Sequence, residues 1–398
     1  MLADLGADVV KVERLPRGDG SRGFVPPDVG GESAAFMMLN RGKRGVALDL
    51  RHPRGVEVVR RMAVEADVLI ENFRVGTMET IGLGWGTLSG SNPRLVYCQI
   101  TGFGRTGPLA HQGGFDLIAQ GYSGLMSITG EGPGRAPVKV GAPVTDITAG
   151  ILGALGVVSA LLQRERTGRG CLVDTSLYEA GITHTFWQSA IALAGGGSSG
   201  PLGSAHPLSA PYQAFRTADG WVNVGASNEA TWERLIDAVG RPDLARDPRF
   251  TTNAHRMAHL DDLVEVLSRE FAARPSDDWL RTLEAAGVPA GPVASIGDML
   301  EHPHTMARGM VQEVRHASLG DVASLGSPVK FHGGPEDGME GRDGERPAEP
   351  DHGGATGRGA PLLGEHTREV LAESGWSESD LLDLERQGVV MDAGVGEG

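Results

Sequence analysis

Val138-Lys139-Val140-Gly141-Ala142-Pro143-Val144-Thr145-Asp146-Ile147-Thr148-Ala149-Gly150 leads a Gly/Pro-rich loop into a long segment of Gly, Ala, Leu and Val. Pro143 stops helical structure before it. Thr145 or Asp146 then stands where an N-cap belongs, so 145–166 reads as a helix. Ala149, Gly150, Gly153, Ala154 and Gly156 let another backbone come close. They also make the helix intrinsically weak, so tertiary packing must hold it. A carboxylate at this end meets the positive pole of the helix dipole, which favours its ionised form. Local signal alone makes Asp146 a cap; a reactive carboxylate is the second reading, and the rest of the chain decides between them.

Outward from that helix the chain alternates strand and helix. Short apolar runs at 8–13, 45–50, 67–71, 95–101 and 171–175 read as strands. Residues 53–66, 115–126 and 176–194 read as helices, the first with Pro53 in its first turn. This alternation predicts an α/β fold with a parallel sheet covered on both faces. Composition changes at Gly195-Gly196-Gly197-Ser198-Ser199-Gly200-Pro201, a hinge signature. Beyond it a hairpin, 212–216 with 221–224, and helices at 229–239, 260–273 and 276–286 read as α+β. We therefore expect a large Rossmann-like domain over 1–195 and a smaller α+β domain over 201–310. Residues 311–398 return to the large domain, with a mobile loop at 333–360 and a C-terminal helix.

A chain of 398 residues favours two domains. Glycine is the compositional outlier at 60 residues, without a collagen-like period, so it must serve turns and close approaches. The net charge of −15 disfavours nucleic acid or an anionic membrane as partner. Two cysteines, Cys98 and Cys171, cannot build a disulfide framework. No run reaches the roughly 18 apolar residues of a membrane span. Asp4 and Asp8 interrupt any secretory leader early, so the expected setting is reducing and cytoplasmic.

Against that acidic background, residues 1–44 hold seven basic side chains (Lys11, Arg14, Arg17, Arg22, Arg41, Lys43 and Arg44) and six acidic ones. Several follow strand ends, where ligands of open α/β sheets bind. They read either as an anion site for a phosphorylated ligand or as a solvated loop. There is no phosphate-binding P-loop and no metal-type Cys/His spacing, so no metal is expected.

Several blocks in one order resemble the class III CoA-transferases (CaiB/BaiF type). They are LADLGADVVKVE at 2–13, NRGKRGVALDL at 40–50, DVLIENF at 67–73, TGFGRTGP at 101–108 and GFDLIAQG at 114–121. Thr145-Asp146 with its helix, TGRG at 167–170, APYQAF at 210–215 and LLGEHT at 362–367 extend the likeness over nearly the whole chain. The resemblance implies the two-domain fold above in a homodimer of interlocked chains. It implies acyl-CoA and a carboxylic acid acceptor as substrates, with no resident cofactor. It makes Asp146 the nucleophile and places Arg14, Leu48, Asn72, Phe73 and Phe115 at CoA. For Phe73 core packing is the other reading.

Chemistry agrees with that role. A carboxylate can attack a thioester, an activated acyl group, and pass through an aspartyl anhydride to an aspartyl-CoA thioester. Such intermediates hydrolyse, so the site must be dry. Small dicarboxylic acids are the expected acyl partners. Racemases of the family carry a His just before the residue matching Asp116, where this chain has Phe115. A racemase needs a base on each face of the α-carbon, so transfer is favoured over racemisation or a catalytically inert CoA-fold protein. The Gly203-Ser204-Ala205-His206 loop lacks the glycine run of some relatives. Relatives also begin one strand earlier, which predicts a working protein that starts upstream of Met1.

Overall fold

In a computed structural model of the chain, residues 1–197, 200–331 and 357–393 are described. Most of the 333–360 loop therefore lies outside the described residues. At its described end, Gly359 N–H donates to the Arg315 carbonyl, Gly42 N–H donates to the Arg358 carbonyl, and Ala360 is buried beside Phe36 and Met37.

The chain forms two compact units. The first comprises Met1–Gly114, Ile147–Leu177 and Leu300–Gly398; the second comprises Phe115–Asp146 and Tyr178–Met299. Residues 115–146 and 178–195, assigned from sequence to the large domain, cluster with the second unit.

The first unit contains two three-stranded sheets. In one, β1 (Val9–Arg14) runs parallel to β2 (Lys43–Leu48), and the short strand Val390–Met391 adds antiparallel on the far side of β2. In the other, β3 (Val68–Glu71), β4 (Val96–Thr101) and β5 (Leu172–Ser176) are all parallel. The predicted parallel pairing is present in both sheets. β1 is an edge strand with β2 as its only partner among the described residues, whereas its apolar sequence reads as one paired on both sides.

The helix Pro53–Glu65 buries Val58, Val59 and Ala63 in a core shared with Val46, Leu48, Leu95, Tyr97 and Leu371. The long helix Val144–Thr167 packs on β3–β4–β5 through its small residues. A Cβ on Gly153 would lie 2.9 Å from Ile100 Cδ1, and one on Gly156 2.6 Å from Val173 Cγ1. A Cβ at either position would push these side chains aside, and Val157 and Ala160 complete the seam with Val96 and Cys98. By length and composition this helix could cross a membrane, with a mean hydropathy of 1.8, which the sequence reading overlooked. Its glycine face is spent on a sheet.

In the second unit, Tyr212–Arg216, Trp221–Gly225 and Ala290–Pro292 form an antiparallel sheet. The helices Glu229–Ala238, Leu260–Phe271 and Ser276–Ala285 share one core with it. Phe215 stacks on Phe271 at 4.8 Å there. The single helix read at 115–126 is two, Asp116–Tyr122 and Leu125–Ile128, broken at Gly124 with φ of 82°. That left-handed conformation favours glycine and stops the first helix. The helix read at 176–194 likewise divides into Leu177–Thr183 and Phe186–Leu193. The Thr185 hydroxyl closes the first of these on the Ile182 carbonyl at 2.8 Å.

Candidate active site

The long helix begins at Val144, so Asp146 is its third residue and lies inside the first turn. This corrects the reading of Asp146 as a cap. The orphan N–H of Thr145 is capped instead by Asp116, the first residue of the helix Asp116–Tyr122. Asp116 Oδ1 accepts the Thr145 N–H at 3.1 Å and the Thr145 hydroxyl at 2.8 Å. Its Oδ2 accepts Gln120 Nε2 at 2.8 Å, and Gln120 Oε1 in turn accepts the Val140 N–H at 2.9 Å. Asp116 is 8% exposed, while Gln120 and Thr145 are fully buried. One buried network thus fixes the loop before the helix, the helix start and a second helix.

Asp146 follows directly and is exposed. Its carboxylate has no hydrogen bond or ion pair among the described residues, so it is held by backbone alone. Protein packed around the carboxyl, and next the charge of Asp116, raise its pKa above the usual aspartate value. This opposes the helix-dipole effect inferred from sequence. It gives a carboxylate more basic than an ordinary one, as suits a nucleophile. Phe115 precedes Asp116 and is 79% exposed, with no titratable group to serve as a second base.

The remaining predicted residues belong to the first unit. Arg14 ends β1, is exposed, and donates from Nε to the Gly18 carbonyl at 3.2 Å. Asn72 and Phe73 follow β3 and are exposed; Phe73, at 46%, is not the core residue that its apolar character allows. Leu48 differs. It ends β2, its side chain is fully buried, and its carbonyl accepts the Leu15 N–H at 3.2 Å. Any contact from Leu48 to a ligand would have to come from its backbone.

The basic cluster of residues 1–44 is largely neutralised. Lys11 pairs with Asp19, Arg22 with Glu13, Arg41 with Asp4, and Arg44 with Asp8, Glu369 and Glu373. Burial, with the charge of Lys11 behind it, pushes the Lys43 ammonium down to about 8. Arg14 and Arg17 make no ion pair among the described residues. The anion-site reading thus narrows to these two exposed guanidiniums. The capping role of Asp116 carries no sequence signal, since its partner Thr145 lies 29 residues away.

Comparison with known proteins gives the class to which this chain belongs. The profile of CoA-transferase family III matches residues 1–367. The chain is 36% identical over 372 residues to the succinyl-CoA:glutarate CoA-transferase of Mus musculus, covering 94% of this chain and 81% of that protein. It is 38% identical over 379 residues to the succinate–glutarate CoA-transferase of Agrobacterium fabrum (strain C58), covering 94% and 90%. Among solved structures it resembles a CaiB/BaiF family protein from Brucella suis, with a TM-score of 0.77 and 37% identity, covering 94% of this chain and 93% of that one. The chain belongs to CoA-transferase family III.

Proposed function

We propose that this chain moves CoA from an acyl-CoA to a small dicarboxylic acid through Asp146. The observation that carries the reading is the exposed, unpaired Asp146 carboxylate set at a rigid helix start beside buried Asp116. Asp146 attacks the thioester carbonyl; the C–S bond breaks and CoA leaves as thiolate, giving an aspartyl–acyl anhydride. The thiolate attacks the aspartyl carbonyl and releases the donor as free carboxylate. An incoming carboxylate attacks the carbonyl of the resulting aspartyl-CoA thioester, the C–S bond breaks, and CoA leaves as thiolate beside a new aspartyl–acyl anhydride. CoA thiolate then attacks the acceptor's acyl carbon and frees Asp146. Charge balances at each step, and no proton or resident cofactor is required. Glutarate and succinate, named in the relatives described above, set the expected size of the acids.

Arg14, Asn72 and Phe73 lie at the carboxyl ends of parallel strands, where open α/β sheets bind ligands, and serve CoA in this reading. Racemisation is disfavoured because Phe115 offers no base. On the long helix, Ile147, Ile151, Leu155, Val158 and Leu162 recur at three- and four-residue spacing and are exposed. Such a stripe needs cover, and a second copy in a homodimer supplies it in this reading. Free thiols at Cys98 and Cys171 suit a reducing cytoplasmic compartment. The test is mass spectrometry of the protein after incubation with succinyl-CoA, glutaryl-CoA and other acyl-CoAs. The expected result is a CoA adduct on the peptide containing Asp146; turnover without any adduct there, even under rapid quench, would overturn the mechanism.

A further inference from the structure

The last residue of β3 is a carboxylic acid in a place that does not favour one. Glu71 is 5% exposed. Its Oε1 is buried without a hydrogen-bond partner among the described residues. Among the described residues no ion pair reaches it: the Arg105 guanidinium, whose charge favours the ionised carboxyl from a distance, is hydrogen-bonded to Gln99 and to Glu79. Burial, reinforced by the charge of Glu79, raises the Glu71 pKa. The other neighbours are the buried Tyr97 and Gln99 on β4, with Gln99 in register with Glu71. Burying a carboxyl with one oxygen unpaired costs stability, and an apolar side chain of similar shape would not incur that cost.

The one engaged atom is Oε2, which accepts the Phe73 N–H at 2.7 Å. That bond closes a turn over Asn72 at the carboxyl end of β3, with Asn72 and Phe73 both exposed. The exposed Phe73 ring stands on this turn, and its direction depends on the N–H that Glu71 holds.

We infer that Glu71 is a positioning residue that fixes the Asn72–Phe73 turn so that Phe73 meets the CoA portion of the thioester. This rests on the CoA-transferase reading above. A purely structural residue and a positioning residue differ in sign. Removing the carboxyl should relieve the burial cost while loosening the turn, so stability and ligand affinity should move in opposite directions.

The test uses the full chain and its Glu71→Met, Glu71→Gln, Phe73→Ala and Glu71→Met/Phe73→Ala variants. Melting is followed by circular dichroism, CoA binding by calorimetry and CoA exchange by steady-state kinetics. Glu71→Met is expected to melt at or above the parent temperature. Its CoA Kd and its KM for acyl-CoA should rise about tenfold while kcat stays within about twofold. Glu71→Gln retains a carbonyl oxygen for the Phe73 N–H and should recover most of the affinity. In the Phe73→Ala background, Glu71→Met should cause no further loss. A lower melting temperature with unchanged CoA affinity, no recovery by Gln, or full additivity with Phe73→Ala would each overturn the assignment. A parent chain that binds no CoA would remove the CoA-transferase reading itself, and this inference with it.

Discussion

Asp116→Asn separates the structural and electrostatic parts of the site. Asp116 accepts three hydrogen bonds in a buried setting, two from Thr145 and one from Gln120. Asn keeps an oxygen for Thr145 but turns an NH₂ towards the Gln120 NH₂, donor against donor. Flipping Gln120 relieves that clash only by turning its own NH₂ to the Val140 N–H. One buried bond is lost either way, and the charge assistance of the rest is gone, so we expect a loss of about 1–3 kcal/mol. For a unit of this size that corresponds to roughly 2–10 °C in melting temperature. The electrostatic effect has its own sign. Asp116 raises the Asp146 pKa in the parent. Without that charge the Asp146 pKa falls, though not fully, because burial remains the larger cause. The acid limb of kcat/KM, which reports ionisation in the free enzyme, should therefore move to lower pH. The assay is CoA exchange between succinyl-CoA and glutarate from about pH 4 to pH 8. An acid limb that stays put or moves up would refute the coupling of the two carboxylates.

Asp146→Asn should abolish transfer and adduct formation while melting at or slightly above the parent temperature. Its raised pKa means that ionised Asp146 costs stability once the pH passes that pKa, and for an exposed group the gain stays below about 1 kcal/mol. Asp146→Ala should also fold normally, since Asp146 is not the cap; a drop of several degrees, or normal turnover in either variant, would contradict this. Arg14→Ala should weaken CoA more than dephospho-CoA, with the difference shrinking in high salt; equal losses for both ligands would remove Arg14 from the 3′-phosphate. Lys43→Met removes a buried ammonium, a gain of about 1–3 kcal/mol at pH 7, set against the buried Asn40 Oδ1 that it leaves without its donor at every pH. A lysine whose native pKa is lowered to about 8 loses stability as the pH falls from its unfolded value towards 8. The gain should therefore vanish in melts above the unfolded lysine pKa, and a gain of equal size at all pH values would show that packing, not charge, is responsible.

Much of the fold was legible because its signals are local. The apolar runs at 8–13, 67–71 and 95–101 became strands, and Pro53 and Pro143 bounded helices near where they should. Several of the mistakes depend on residues distant in sequence. The start of the long helix is set by Asp116, reaching across from another helix. Arg44 draws two of its three partners, Glu369 and Glu373, from 325 and 329 residues away, which spacing alone could not place. Val390–Met391 is too short to read as a strand, and only β2 makes it one. Asp146 itself was found by resemblance; its neighbourhood became physical only with Thr145, Gln120 and Asp116 in place.

The neutralised cations at the N-terminal strand ends have a consequence for how fast a thioester arrives. A polyanionic ligand diffusing towards this protein meets a long-range field set by the net charge of −15, because most of the basic side chains near β1 are cancelled by adjacent carboxylates. At long distance the encounter is repulsive, and attraction begins only within about a Debye length of Arg14 and Arg17. Added salt should then act on the two rate constants separately. It screens the distant repulsion and speeds association, and it weakens the close contacts and speeds release, so capture and turnover of CoA would answer to ionic strength more strongly than the equilibrium affinity does.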